Sequence, residues 1–239
     1  MNEAKIIFLG TCNVGKTQLT QLLSGKKYEE NTESTIACSY SHIQFAHDNV
    51  TFSLNIWDTC GHEKFESITK NYYRDTDIFL LVFSFDDNKS MDRLHYYIDL
   101  IKKELLPSNI IFIGNKSDLI DKKEAEIKIR KFQQNIEKID YDLQKTSYLI
   151  VSAKQNYGID KFIKTIHEHV IELYDDYYFK KNLEKYNNVS KKSVVNIANS
   201  FNVVKDLNNN RVINMDNMDS IAMIENENTK AQENCCVIF

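Results

Sequence analysis

Three uninterrupted apolar runs, IFLLVFS at 78–84, NIIFIGN at 109–115 and YLIVS at 148–152, constrain this 239-residue chain more than any other feature. A strand with one wet face alternates apolar and polar residues, whereas a run without alternation must be covered on both faces. Such strands belong to parallel sheets with helices on either side. Amphipathic stretches near 90–106, 121–138 and 158–174 stand between and after the runs, where those helices are needed. KIIFLG (5–10) adds a short strand stopped by a glycine, and Leu19, Leu22 and Leu23 predict a helix from Lys16 to Ser24 with Gly25 at its stop. IACSYSHIQF (36–45) and TFSLNIWD (51–58) alternate on either side of HDN and read as a hairpin. The expected fold is α/β: a doubly wound, mostly parallel six-stranded sheet flanked by helices. Ligands of such sheets bind beyond the carboxyl ends of the strands.

After the first strand comes GTCNVGKT, Gly10 to Thr17, a full match to the phosphate-loop pattern G-x-x-x-x-G-K-[ST] between a strand and a helix. Backbone N–H groups of Gly10, Cys12, Asn13, Val14 and Gly15, with the following helix N-terminus, offer partial positive charge to phosphates. Lys16 reaches for the β and γ phosphates, and the Thr17 hydroxyl is a candidate Mg²⁺ ligand. After a later strand comes NKSD, Asn115 to Asp118. The Asp118 carboxylate can accept from both N1–H and the exocyclic amine of guanine, a donor pair that adenine lacks. SAK (152–154) ends the last strand and means nothing alone.

Together these motifs resemble the Ras superfamily of small GTPases over about the first 175 residues, and within it the Rab branch. WDTCGHEKFESITKNYYR (57–74) is similar to the Rab switch II pattern WDTAGQE, F-x-S-I-T, YYR, and STIACSY (34–40) to the end of switch I. The resemblance implies that Thr35 binds Mg²⁺ and the γ-phosphate, that Asp58 holds the Mg²⁺ shell through water, and that the Gly61 N–H senses the γ-phosphate. It also implies that Tyr28 packs near the guanine ring, that the Lys116 stem covers the base, and that the Ala153 N–H meets the guanine oxygen. Gln18, Asn115, Ser152 and Lys154 complete the expected nucleotide set.

Lys16, Thr35 and His62 are the candidate catalytic residues, and His62 departs from the pattern. The family carries there a glutamine that orients the attacking water. Neutral histidine also has one donor and one acceptor, but on a shorter, rigid ring. It either touches the water or crowds the γ-phosphate, so slow intrinsic GTP hydrolysis is expected; an inert, solvent-exposed substitution is the alternative. Cys60 in place of alanine, Cys12 and Asn13 in the phosphate loop, and Thr32 in place of a common tyrosine are further departures.

A net charge of −4 provides no electrostatic footprint for nucleic acid, and no apolar run approaches a membrane span. The scattered cysteines make no disulfide framework. His167 and His169, two apart on a helix, suit surface or packing roles better than shared metal ligation. Beyond about Tyr186, Asn, Ser, Asp and Lys dominate, so roughly 187–234 reads as a flexible tail, with SVVNIANSFNVV (193–204) as a candidate docking helix. The chain ends CCVIF, which fits C-a-a-X prenylation at Cys236, with Cys235 as a second lipidation site. A single lipid binds membranes only marginally, and the tail is not polybasic.

The expected organisation is a G domain at 1–175 and a hypervariable, prenylated tail at 176–239. The resemblance implies GTP/GDP and Mg²⁺ as ligands. It implies an exchange factor, a GTPase-activating protein, an escort protein, a dissociation inhibitor and effectors as partners. The place of action is the cytoplasmic face of intracellular membranes, with a cytosolic pool. A GTP-holding membrane scaffold with little turnover is the rival reading.

Overall fold

The computed structural model describes residues 2–30, 34–36, 38–62, 64, 69–104, 109–139, 143 and 145–179. The expected tail from residue 180 onward, the segment 193–204, Thr32 and both lipidation candidates, Cys235 and Cys236, lie outside them.

The described elements run β1 (Glu3–Leu9), α1 (Lys16–Leu23), β2 (Cys38–His47), β3 (Val50–Thr59), β4 (Ile78–Ser84), α2 (Asn88–Glu104), β5 (Asn109–Asn115), α3 (Lys122–Lys138) and β6 (Lys145–Ile150). A last helix, α4, covers 159–179. The six strands form one sheet in the order β2-β3-β1-β4-β5-β6. Every neighbouring pair is parallel except β2 with β3. This is the expected mostly parallel α/β sheet.

The hairpin register follows from its turn. His47 pairs with Val50, leaving a two-residue loop in which Asp48 and Asn49 have φ of 45° and 63°. Two positive φ values define a type I′ turn, whose twist suits a hairpin, and Asp and Asn are the side chains that tolerate it best. The runs 78–84 and 109–115 are strands over their full expected lengths. The last strand differs. It spans Lys145–Ile150 and not 148–152, because it is an edge strand whose polar KTS start needs no cover on its outer side. Val151 and Ser152 leave the ladder, and Ser152 instead bridges Tyr157 across a short turn.

Alternation inside the apolar runs builds two cores. Ile6, Phe8, Ile78, Leu80 and Val82 face α1 and α4, where Leu19, Phe162 and Ile166 meet them. Ile7, Leu9, Phe79, Leu81 and Phe83 face the opposite layer, formed by Leu94 and Ile98 of α2 and Phe132 and Ile136 of α3. Covering both faces in this way leaves the loops at the strand carboxyl ends as the open edge of the domain.

The two α4 histidines have packing roles. His167 stacks on Phe45 of β2 with ring centroids 3.7 Å apart. His169 is buried and its Nε2 lies 2.8 Å from the Ser147 hydroxyl, while Nδ1 meets no protein partner among the described residues. Burial, aided by the Lys145 ammonium and opposed by Glu172 and Glu168, pushes its pKa down to about 4. The unfolded chain, with an ordinary imidazole near 6.5, therefore takes up the proton first. His169 contributes its full stability above about pH 6.5 and loses it as pH falls toward 4. By about pH 5 the loss is roughly 2 kcal/mol. Thermal melts should show a drop between pH 7.5 and about 5 that is markedly smaller in His169→Asn; an equal drop in both would refute the assignment.

Candidate nucleotide site

The loop after β1 and the start of α1 make the floor of a cleft of about 380 Å³. Gly15, at the N-cap of α1, has φ 96°, and a Cβ there would lie 2.3 Å from the Asn115 amide nitrogen. Only glycine satisfies both constraints. Lys16 is buried, and its ammonium donates to the Gly10 and Thr11 carbonyls at 2.9 Å each. Burial lowers its pKa against the charges of Asp58, Cys12 and Cys60. The loop thus holds a desolvated cation at the mouth of a helix N-terminus, an arrangement suited to phosphate.

At the end of β3, Asp58 is buried, and burial raises its pKa against the Thr17 hydrogen bond and the Lys16 charge. Its Oδ2 accepts from the hydroxyls of Thr17 (2.7 Å) and Thr35 (3.3 Å), and those hydroxyls are 2.8 Å apart. Its Oδ1 has no protein partner among the described residues. A buried, orphaned carboxylate oxygen beside two hydroxyls is a hard-oxygen donor set, and it fits Mg²⁺ completed by water and phosphate.

The base end is built by β5 and the loop after β6. Asn115 is buried and works as a strut. Its Nδ2 donates to the Val14 carbonyl at 2.8 Å, and its Oδ1 accepts from the Ala153 N–H at 3.1 Å. The Ala153 N–H, expected to meet guanine, is here given to Asn115. Asp118 accepts through Oδ1 from the Ser152 hydroxyl. The Lys116 ammonium lies 3.5 Å from Asp86 of the loop after β4. Gln18 bonds both ways with Glu29, donating to its carbonyl (2.7 Å) and accepting from its N–H (3.2 Å), which holds the segment beside Tyr28 against α1. Lys154 reaches across to Glu30 at 3.2 Å.

Cys12, Asn13, Gly15, Lys16, Thr17, Gln18, Tyr28, Thr35, Gly61, Asn115, Lys116, Asp118, Ala153 and Lys154 all line this one cleft. Gly10, Val14, Ser152 and Asp58 act from behind that wall, through the bonds just described. Glu29, Glu30 and Leu119 also line it and were not read from sequence. They flank motif residues without belonging to a motif, so only the closure of the cleft reveals them. His62 is not among the cleft residues: it is exposed and lines an adjoining small hollow with Tyr73, Arg93 and Tyr97, which shares Thr59, Cys60 and Gly61 with the cleft.

A phosphate loop, an acid between two threonines, and a base wall of Asn115, Lys116 and Asp118 on this sheet define a P-loop nucleotide-binding protein. The Ras family model matches residues 5–172. Ras-like GTP-binding protein RYL2 of Yarrowia lipolytica is 32% identical over 166 residues, covering 69% of this chain and 79% of that protein. Ras-related protein RabO of Dictyostelium discoideum is 33% identical over 165 residues, 66% of this chain and 74% of its own length. GTP-binding protein ypt1 of Schizosaccharomyces pombe is 28% identical over 170 residues, 70% and 80% of the two chains. The chain belongs to the Ras family: it is a Rab-like small GTPase that binds GTP and GDP and hydrolyses GTP.

Proposed function

We propose that this GTPase is a nucleotide switch of vesicle traffic, with a G domain over 1–175 and a prenylated tail over 176–239. The convergence of Thr17 and Thr35 on Asp58, with an orphaned oxygen left on the acid, is the observation that carries the switch. Thr35 belongs to a loop and Asp58 to the sheet, so their association couples switch I to what occupies the phosphate site. Lys16 moves from its loop carbonyls to the β and γ phosphates and neutralises charge there as water attacks in line and the bond to the bridging oxygen breaks. Thr17, Thr35 and Asp58 would hold Mg²⁺, which would supply charge neutralisation at the phosphates. Asp118 selects guanine. Release of phosphate frees Thr35 and Gly61, and partners read that change.

Prenyl groups on Cys235 and Cys236 anchor the protein to the cytoplasmic face of an intracellular membrane, with a cytosolic pool kept by a dissociation inhibitor. No helix of the described residues is long and apolar enough to cross a membrane. An exchange factor, a GTPase-activating protein, an escort protein and effectors complete the cycle.

The position of His62 favours a second reading, a GTP-holding scaffold. Its support is that His62 lines the hollow with Tyr73, Arg93 and Tyr97 and is not among the residues lining the cleft. Single-turnover hydrolysis by the natural chain and by His62→Gln separates the readings. We expect the natural chain to fall below the intrinsic Ras rate of about 10⁻⁴ per second, and glutamine to raise it tenfold or more, about 1.4 kcal/mol of barrier. Equal rates at an ordinary level would remove the slow-hydrolysis reading and leave the cycling switch.

A further inference from the structure

Two departures from the family pattern, Cys12 in the phosphate loop and Cys60 in switch II, meet at one place. Neither residue takes part in a disulfide among the described residues, and both line the nucleotide cleft. The loops that carry them are in backbone contact, because a Cβ placed on Gly61 would lie 2.3 Å from the Thr11 carbonyl carbon and 2.4 Å from the Cys12 amide nitrogen. With consecutive Cα atoms about 3.8 Å apart, that approach holds the Cα atoms of Cys12 and Cys60 within about 9 Å of each other. Disulfides span Cα separations of about 4.4–6.8 Å, so a loop movement of at most a few ångströms closes the gap. Cys12 is exposed and Cys60 half-buried, so an oxidant meets Cys12 first.

We propose that Cys12 and Cys60 are a redox modification site, forming a disulfide that staples switch II to the phosphate loop. With glutathione disulfide as oxidant, the Cys12 thiolate attacks one sulfur and expels a glutathione thiolate. The Cys60 thiolate then displaces the second glutathione from the mixed disulfide. Both protein thiols lose their hydrogens, and one glutathione disulfide leaves as two glutathione thiols. The staple fastens Gly61 against Thr11 and Cys12, where the γ-phosphate has to enter. Oxidised protein therefore accepts GDP and rejects GTP. This second consequence rests on the reading of Gly61 as the γ-phosphate sensor.

The test uses the full chain carrying Cys38→Ser, since Cys38 and Cys60 share one tryptic peptide. GDP-loaded protein is treated with glutathione disulfide, quenched with an alkylating agent and mapped by mass spectrometry. The expected product joins peptide 6–16 to peptide 28–64 without glutathione, and Cys60→Ala leaves a glutathione adduct on Cys12 instead. Separate adducts on Cys12 and Cys60, or no reaction, would overturn the staple. Competition of GDP with GTP is then measured before and after oxidation. The expected result is at least a tenfold shift toward GDP that a reductant reverses. A staple that forms without that shift would overturn the role of Gly61 and leave the modification site standing, while failure of the reduced protein to bind either nucleotide would refute the site reading itself.

Discussion

Asp118→Asn is expected to weaken GDP binding by about 10³-fold or more and to turn the preference from guanine toward xanthine nucleotides. The carboxylate at 118 can only accept, so it matches the two donors of the guanine edge. An amide replaces one acceptor with a donor. That donor faces the amine of guanine and is repelled, but it faces the carbonyl that xanthine carries in the same place. The amide oxygen can still accept from Ser152, the one side chain seen to bond Asp118, so the wall itself should survive. Competition of a fluorescent GDP against GDP and XDP measures the exchange of preference. A GDP affinity within tenfold of the natural protein would show that Asp118 does not read the base.

Asn115→Ala is expected to destabilise the domain by about 2–5 kcal/mol and to speed GDP release by about 100-fold. The side chain ties three loops together: its own, the phosphate loop through Val14 and the last loop through Ala153. Truncation strands a carbonyl and an N–H in a buried place, at about 1–3 kcal/mol each. It also removes the atom against which Gly15 is packed, so the phosphate loop loses its back wall. Urea melts and the release rate of a fluorescent GDP should change together. A large rate change with unchanged stability would mean that Asn115 binds nucleotide directly and is not a strut.

The two predictions differ in what a linear reading could foresee. NKSD and GTCNVGKT are contiguous, and the chemistry of a carboxylate or an ammonium facing a ligand follows from residue type. Asp118 and Lys16 were legible for that reason. Asn115 was legible as a site residue but not as a strut, because its partners stand 101 and 38 residues away. The Glu30–Lys154 pair at the cleft wall, 124 residues apart, carried no local signal at all. For His62 the motif alone points to the phosphate, and the hollow it lines with Tyr73, Arg93 and Tyr97 depends on segments 11 to 35 residues away.

The sequence by itself determined the α/β class, the two-faced burial of β4 and β5, the hairpin and the phosphate loop. Each of these depends on residue type and period over a few neighbours, which is where steric and hydrophobic preferences act. The start of the edge strand β6, the burial of His169, the strut at Asn115 and the contact of Gly61 with the loop of Cys12 were decided only by the tertiary structure. Each depends on which distant segments the sheet order β2-β3-β1-β4-β5-β6 brings within a few ångströms, and no short stretch of the chain encodes that distance.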